Sequence, residues 1–364
     1  MGRRRLLRPR PSPALLLAIA ILLASCGAGA HGDDGSPRAR SADAAHLVES
    51  AQAAQPVRFR FFSPSSFWNV PVATDAPLDP SSASIMGALR WLIAEELTEG
   101  SGPAINTTEY SVPVYKVPAD QPLVPVQLSS PYSASALRSA WSAVPLPPDA
   151  QPAGGNDRHL VVWQPSSGRL WEFWELRHGT EGWRASWGGA IQHVTSDLGV
   201  YGPEAWPGAS SKWGASASSL SIAGGLIRFS DLEHGWINHA LSMSIPDARA
   251  GVYAWPAERT DGTSTDPLSL PEGAHLRLNP NLDIASLGLP RMTRMIAEAA
   301  QRFGIFVRDG AQNVAFQAQD PVTVGTNPYL GVDGYFEGSY PRELLSQFPW
   351  AHLQLLKMEL HPYG

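Results

Sequence analysis

Residues 157–176 read DRHLVVWQPSSGRLWEFWEL, and the expected fold follows from how this stretch pairs with itself. Pro165-Ser166-Ser167-Gly168 makes a turn, because proline presets its φ and glycine tolerates a positive one. On either side the residues alternate with the two-residue period of a strand. Asp157, His159, Val161 and Trp163 point one way; Arg158, Leu160 and Val162 point the other. A four-residue loop pairs Gln164 with Arg169, and it sets Val161 opposite Glu172 and His159 opposite Trp174. One face then holds Asp157, His159, Trp163, Glu172 and Trp174. A loop one residue shorter turns the second strand over and presents Trp171, Phe173 and Glu175 instead. Either register gathers a carboxylate, an imidazole and indoles on one face, a set suited to binding or cleaving a sugar.

The rest of the chain is punctuated like the hairpin. It has 33 Gly and 33 Pro in 364 residues, with 43% hydrophobic and 16% charged residues. So many turn formers favour short strands over a helical bundle. The expectation is a mainly β fold, a β-sandwich or jelly roll with two or three peripheral helices. One helix opens at Asp79-Pro80 and carries Ile85, Leu89, Ile93 and Leu97 on one face up to Gly100. A second carries Met292, Met295, Ile296, Ala299 and Phe303, with Gly304 as its cap. Ser230-Asp231-Leu232-Glu233 fits a capping box. A strand over 237–245 would put Ile237, His239, Leu241, Met243 and Ile245 on one face. Residues 193–219 read as a long loop holding Trp206, Lys212 and Trp213, and loops of that length are usually functional or disordered.

The first residues are an address. Arg3, Arg4, Arg5, Arg8 and Arg10 precede the apolar run 14–23, which is too short to span a bilayer comfortably. Leu23-Ala24-Ser25-Cys26 resembles a bacterial lipobox, and Cys26 is the single cysteine. The expected organisation is a lipoprotein signal peptide over 1–25, a flexible tether over 26–57 and one β-rich domain over 58–364. Lipidation at Cys26 would place the protein outside the cytoplasm, on a membrane surface, with the lipid as its membrane contact. Without the five leader arginines, 22 basic residues stand against 33 acidic ones, a formal charge of −11. That balance argues against nucleic acid as a partner.

The candidate catalytic residues are Glu172, His159, His239 and Asp157. A carboxyl packed against indoles loses solvation and rises in pKa toward the range of a general acid. This makes Glu172 the expected acid and His159 or His239 the base or an orienting group. Asp157-x-His159 together with His239 would also make a two-His, one-carboxylate set, but a metal-free site without a cofactor is the expectation. Nine of the 13 tryptophans fall between Trp163 and Trp255. Trp163, Trp174, Trp206 and Trp213 are candidate sugar platforms, with Arg184 and Lys212 as cations for a sugar carboxylate. Phosphate-binding loops, dinucleotide fingerprints, H-E-x-x-H and G-x-S-x-G are all missing from the sequence.

Asn156 to Val162, Gly225-Leu226-Ile227, Gly235 to Leu241 and Pro271-Glu272-Gly273-Ala274 together resemble a family of exported bacterial proteins of unassigned activity. The similarity runs from about Phe61 to Asp309 and lends weight to His159 and His239 without giving them roles. A Trp-rich exported β protein is also similar in architecture to jelly-roll glycan-active enzymes. The expected function is therefore that of a surface-tethered glycoside hydrolase or polysaccharide lyase acting on an extracellular polysaccharide or oligosaccharide. The alternative is a non-catalytic glycan- or ligand-binding lipoprotein.

Overall fold

A computed structural model describes residues 59–131 and 134–364. The signal peptide, the tether and Cys26 lie outside the described residues. The described chain is mainly β, with several mixed sheets and few helices.

The hairpin takes the register set by the four-residue turn. Strands β4 (Leu160–Gln164) and β5 (Arg169–Trp174) pair antiparallel, with Gln164 opposite Arg169 and Val161 opposite Glu172. The Gly168 amide closes the turn on the Pro165 carbonyl at 3.2 Å. Two more strands complete this sheet. β2 (Val114–Lys116) lies parallel to β4, and β8 (Trp187–Ile191) lies antiparallel to β5, giving the order β2-β4-β5-β8. All five residues of β4 are buried, because both faces of the sheet are covered. Gly188 and Gly189 let β8 come close to its neighbours. A Cβ on Gly188 would stand 2.1 Å from the Glu172 carbonyl, and one on Gly189 would stand 2.3 Å from the Tyr201 ring.

Beside it stands a three-stranded sheet of β3 (Val126–Leu128), β7 (Gly182–Ala185) and β6 (Arg177–Gly179), in that order. The helix α2 (Ser135–Ala140) packs against β3 and β8. One core, built on Val162, Trp171, Phe173, Trp141 and Tyr201, fills this half.

The second core belongs to a six-stranded sheet. Its strands are β1 (Ala104–Asn106), β9 (Leu241–Ile245), β11 (His275–Leu278), β12 (Ile305–Gly310), β13 (Ala315–Gln317) and β14 (Leu353–Leu355). They run in the order β1-β13-β9-β12-β11-β14. β9 and β12 are parallel, with a register shift between Val307 and Asp309. Such a bulge re-aims the side chains around it: Arg308 is buried, while Asp309 is half exposed. A small pair, β10 (Val252–Ala254) with β15 (Leu360–Pro362), completes the strands.

Two long helices lie where the apolar periodicity puts them. The first, α1 (Ser82–Glu99), buries Ile85, Leu89 and Ile93, and Gly100 caps it at φ +74°. The other, α4 (Arg291–Arg302), buries Met292, Met295, Ile296 and Ala299 against the six-stranded sheet. Three further helices have six residues each: α2, α3 (Phe229–His234) and α5 (Pro341–Ser346). The expected capping box of Ser230 and Glu233 does not form, because the helix starts two residues earlier and its N-cap, Arg228, has no side-chain acceptor. Asp231, not Glu233, accepts the amide of Arg228 at 3.0 Å. The expected strand over 237–245 begins only at Leu241, so His239 lies before β9.

Candidate functional site

One open cleft of about 1160 Å³ gathers residues from segments far apart in sequence. Asp157 and His159 enter it just before β4. Trp174 ends β5 and Trp187 begins β8, where the two pair directly. Residues 208–217 give Lys212, Trp213 and Ser216; Arg259, Asp261, Asp309 and Tyr363 come from the other half of the chain.

The loop along the cleft is held from below by Glu172. Its Oε1 accepts the Ala215 amide at 2.9 Å, and its Oε2 accepts the Ser221 hydroxyl at 2.8 Å and the Ile222 amide at 3.0 Å. Glu172 is completely buried. Burial pushes its carboxyl pKa up, and these three donors with the Arg308 charge pull it back. Arg259 grips the same loop from the side, donating from Nη2 to the carbonyls of Ser216 at 2.6 Å and Gly214 at 3.2 Å. The Trp187 indole donates to the Lys212 carbonyl at 2.7 Å, and the Gly214 amide donates to the Gly188 carbonyl at 2.9 Å. A segment without regular secondary structure is thereby fixed by side chains.

His159 is buried, and its Nε2 lies 3.2 Å from the Ala215 carbonyl. A carbonyl can only accept, so Nε2 carries the proton and Nδ1 keeps the lone pair. Nδ1 has no hydrogen-bond partner among the described residues. Burial brings the imidazole pKa down to about 4, with Arg308 helping and Asp157 opposing, so the ring is neutral near pH 7. Asp157 Oδ1 accepts the Trp174 indole N–H at 3.1 Å, which fixes the ring and the carboxylate together. Trp174 remains exposed in the cleft.

Asp261, Glu272 and Asp309 form a second cluster, with one oxygen from each within 4.8 Å of the others. Burial pushes Asp309 up to about 7; Arg308 opposes this, and Asp261 and Asp157 add to it. Burial, and then Asp309, push Glu272 well above the carboxylate range.

Several expected site residues stand elsewhere. Glu172 braces the loop and does not reach the cleft, because the face it shares with Val161 is covered by residues 215–222. His239 is not brought to His159. Its Nε2 meets Asp231 Oδ2 at 3.1 Å, its Nδ1 meets the Ala240 carbonyl at 2.8 Å, and Asp231 is also held by Arg228 at 2.7 Å. The two-His, one-carboxylate set therefore does not form. Trp163 is buried against Phe59 and Phe61. Trp206 packs on Trp171, under the Arg169 guanidinium. Arg184 is exposed on β7, outside the cleft lining. Trp213 lines the cleft but is 3% exposed, so it serves as wall more than as platform. Asp157, His159, Trp174 and Lys212 do line the cleft.

Sequence reasoning missed Arg259, Asp261, Asp309 and Trp187 as cleft residues, and Glu272 behind them. A signal existed: Asp261-Gly262, Glu272-Gly273 and Asp309-Gly310 each set an acid before a glycine. The same pairing occurs at Asp34-Gly35, Glu99-Gly100, Glu181-Gly182, Asp333-Gly334 and Glu337-Gly338, so the pattern alone does not single out the three. No protein-family model, curated protein or solved structure matches the chain.

Proposed function

We propose that this chain is a carbohydrate-active enzyme, a glycoside hydrolase or polysaccharide lyase, working on an extracellular glycan from a lipid anchor at Cys26. One observation carries the proposal: the cleft sets an exposed indole, Trp174, in direct contact with a carboxylate, Asp157, with the Trp187 indole paired beside it. Indole faces stack on the C–H faces of sugar rings, and glycosyl transfer is done by carboxyl groups flanking the bond. The cleft supplies carboxyls from three segments, at Asp157, Asp261 and Asp309. Asp157 is the reacting carboxylate, aimed by the Trp174 N–H. Neutral His159 is a positioning residue that ties the start of β4 to the cleft loop through the Ala215 carbonyl. Lys212 offers charge for an acidic sugar, while Arg259 holds the loop. Glu172 works through the loop it holds, not on the substrate.

We also take the sheets as a β-sandwich or jelly-roll scaffold that departs from the usual antiparallel pattern of both: four strand pairs among the described residues are parallel.

Incubating the protein with a glycan panel, while following new reducing ends and unsaturated-uronate absorbance, separates hydrolysis from elimination. Binding of a glycan without either signal would favour the non-catalytic alternative, for which the Trp174 platform suffices. For the anchor, Cys26→Ala is expected to release the protein from the membrane fraction. An unacylated mature N-terminus in the wild-type mass spectrum would remove that part of the proposal.

A further inference from the structure

Asp261, Glu272 and Asp309 come from a loop, a turn before β11 and the end of β12, and they meet at one point. Among the described residues, none of the three forms an ion pair with a lysine or arginine. Arg259, two residues before Asp261, spends its Nη2 on the Gly214 and Ser216 carbonyls, and Arg308, next to Asp309, gives its Nη1 to the Ile222 carbonyl and the Ser242 hydroxyl. Glu272 is 0% exposed. Its Oε2 accepts the Asp261 amide at 3.2 Å, while its Oε1 has no hydrogen-bond partner among the described residues. A buried carboxylate oxygen without a donor is costly, and folded proteins rarely leave one so. Glu272 also offers an oxygen at the point where the carboxylates of Asp261 and Asp309 converge.

We propose that Asp261, Glu272 and Asp309 bind a hard divalent cation, Ca²⁺, beside the cleft. The donors are all oxygens, with neither imidazole nor thiolate among them, which selects against Zn²⁺ and Cu²⁺. Ca²⁺ takes six to eight oxygens in irregular arrangements, whereas Mg²⁺ demands a near-ideal octahedron. Three carboxylates fill part of that shell. Asp261 and Asp309 line the cleft, so the remaining positions open toward it, to water or to sugar oxygens. Each acid precedes a glycine, and Gly273, at φ +85°, approaches the Ala254 carbonyl too closely for any side chain. That turn fixes where Glu272 sits.

The test is calorimetric titration of CaCl₂ into the chelator-stripped protein, without glycan, beside a melting curve with and without the ion. The expected result is one saturable site, with a Kd of about 10⁻³ M or tighter, the range of extracellular calcium modules, and a raised Tm. Glu272→Gln keeps size and removes one ligand charge; Asp261→Asn does the same at an exposed position. Each is expected to weaken binding at least about tenfold, with near-UV circular dichroism confirming that the variant is folded. If the wild type shows no saturable binding up to about ten times that upper Kd, or folded Asp261→Asn binds as the wild type does, the proposal is overturned. Binding is read without substrate, so a failure here leaves the glycan reading standing, and a silent glycan panel leaves this result standing.

Discussion

Glu172 shows how a residue's neighbours decide its role. On the hairpin it shares a strand face with Val161, an arrangement that resembles a buried general acid. The structure gives that face to three donors from residues 215–222, and the carboxylate accepts all of them. Glu172→Gln keeps the shape but replaces one acceptor oxygen by an amide donor. That donor would then confront N–H groups at Ala215 or Ile222. A buried donor left without an acceptor costs about 1–3 kcal/mol, so the variant is expected to lose that much stability in urea unfolding. An unchanged midpoint would mean the loop does not depend on Glu172. The sequence pointed to Glu172 because alternation tells which residues share a face, and it missed the role because alternation does not tell what covers that face. His159 was legible for the same reason and kept its place, since the four-residue turn sets it at the mouth of the hairpin beside Asp157.

At the scale of elements, the helices and the hairpin were legible, and the start of β9 was not. Ile85, Leu89 and Ile93, like Met292, Ile296 and Ala299, repeat at the helical period over long runs, and local geometry suffices to bury them. Residues 237–240 alternate like a strand, yet His239 is drawn to Asp231 at the start of α3. Arg228, Asp231 and His239 form a buried cluster that ties this short helix to the chain entering β9. The guanidinium and imidazole overcome the burial penalty on Asp231 and hold its carboxyl well below the usual range. A carboxyl lowered in this way contributes stability above its unfolded pKa, near 3.8, and loses it as the pH falls through the folded value. Asp231→Asn leaves Arg228 buried without its anion, so it is expected to cost about 3–5 kcal/mol at pH 7. The gap between variant and wild type should narrow as the pH falls below about 4. Urea unfolding of both proteins at pH 7 and at pH 3 checks this. A gap that stays constant would assign the loss to packing instead of charge.

Over the whole molecule, the cleft depends on long-range assembly. Its chemistry comes from Asp157, Trp174, Trp187, Lys212, Arg259, Asp261 and Asp309, a span of more than 150 residues. Parallel pairing of β9 with β12 and the bulge at Arg308 bring the last of these into place. Neither feature leaves a local mark in the sequence, and this is why the hairpin half of the site was legible and the acidic half was not. The central claim is that Asp157, in the indole-lined cleft, does chemistry on a glycan. Its most direct test compares wild type with Asp157→Asn on the glycan of the panel that the wild type cleaves, following reducing ends and unsaturated-uronate absorbance. The account predicts that turnover falls by about a hundredfold or more, the size of an acid–base contribution, while the melting temperature stays close to that of the wild type because Asp157 is half exposed. Full turnover by a folded Asp157→Asn, or a wild type that cleaves no glycan of the panel, would contradict it.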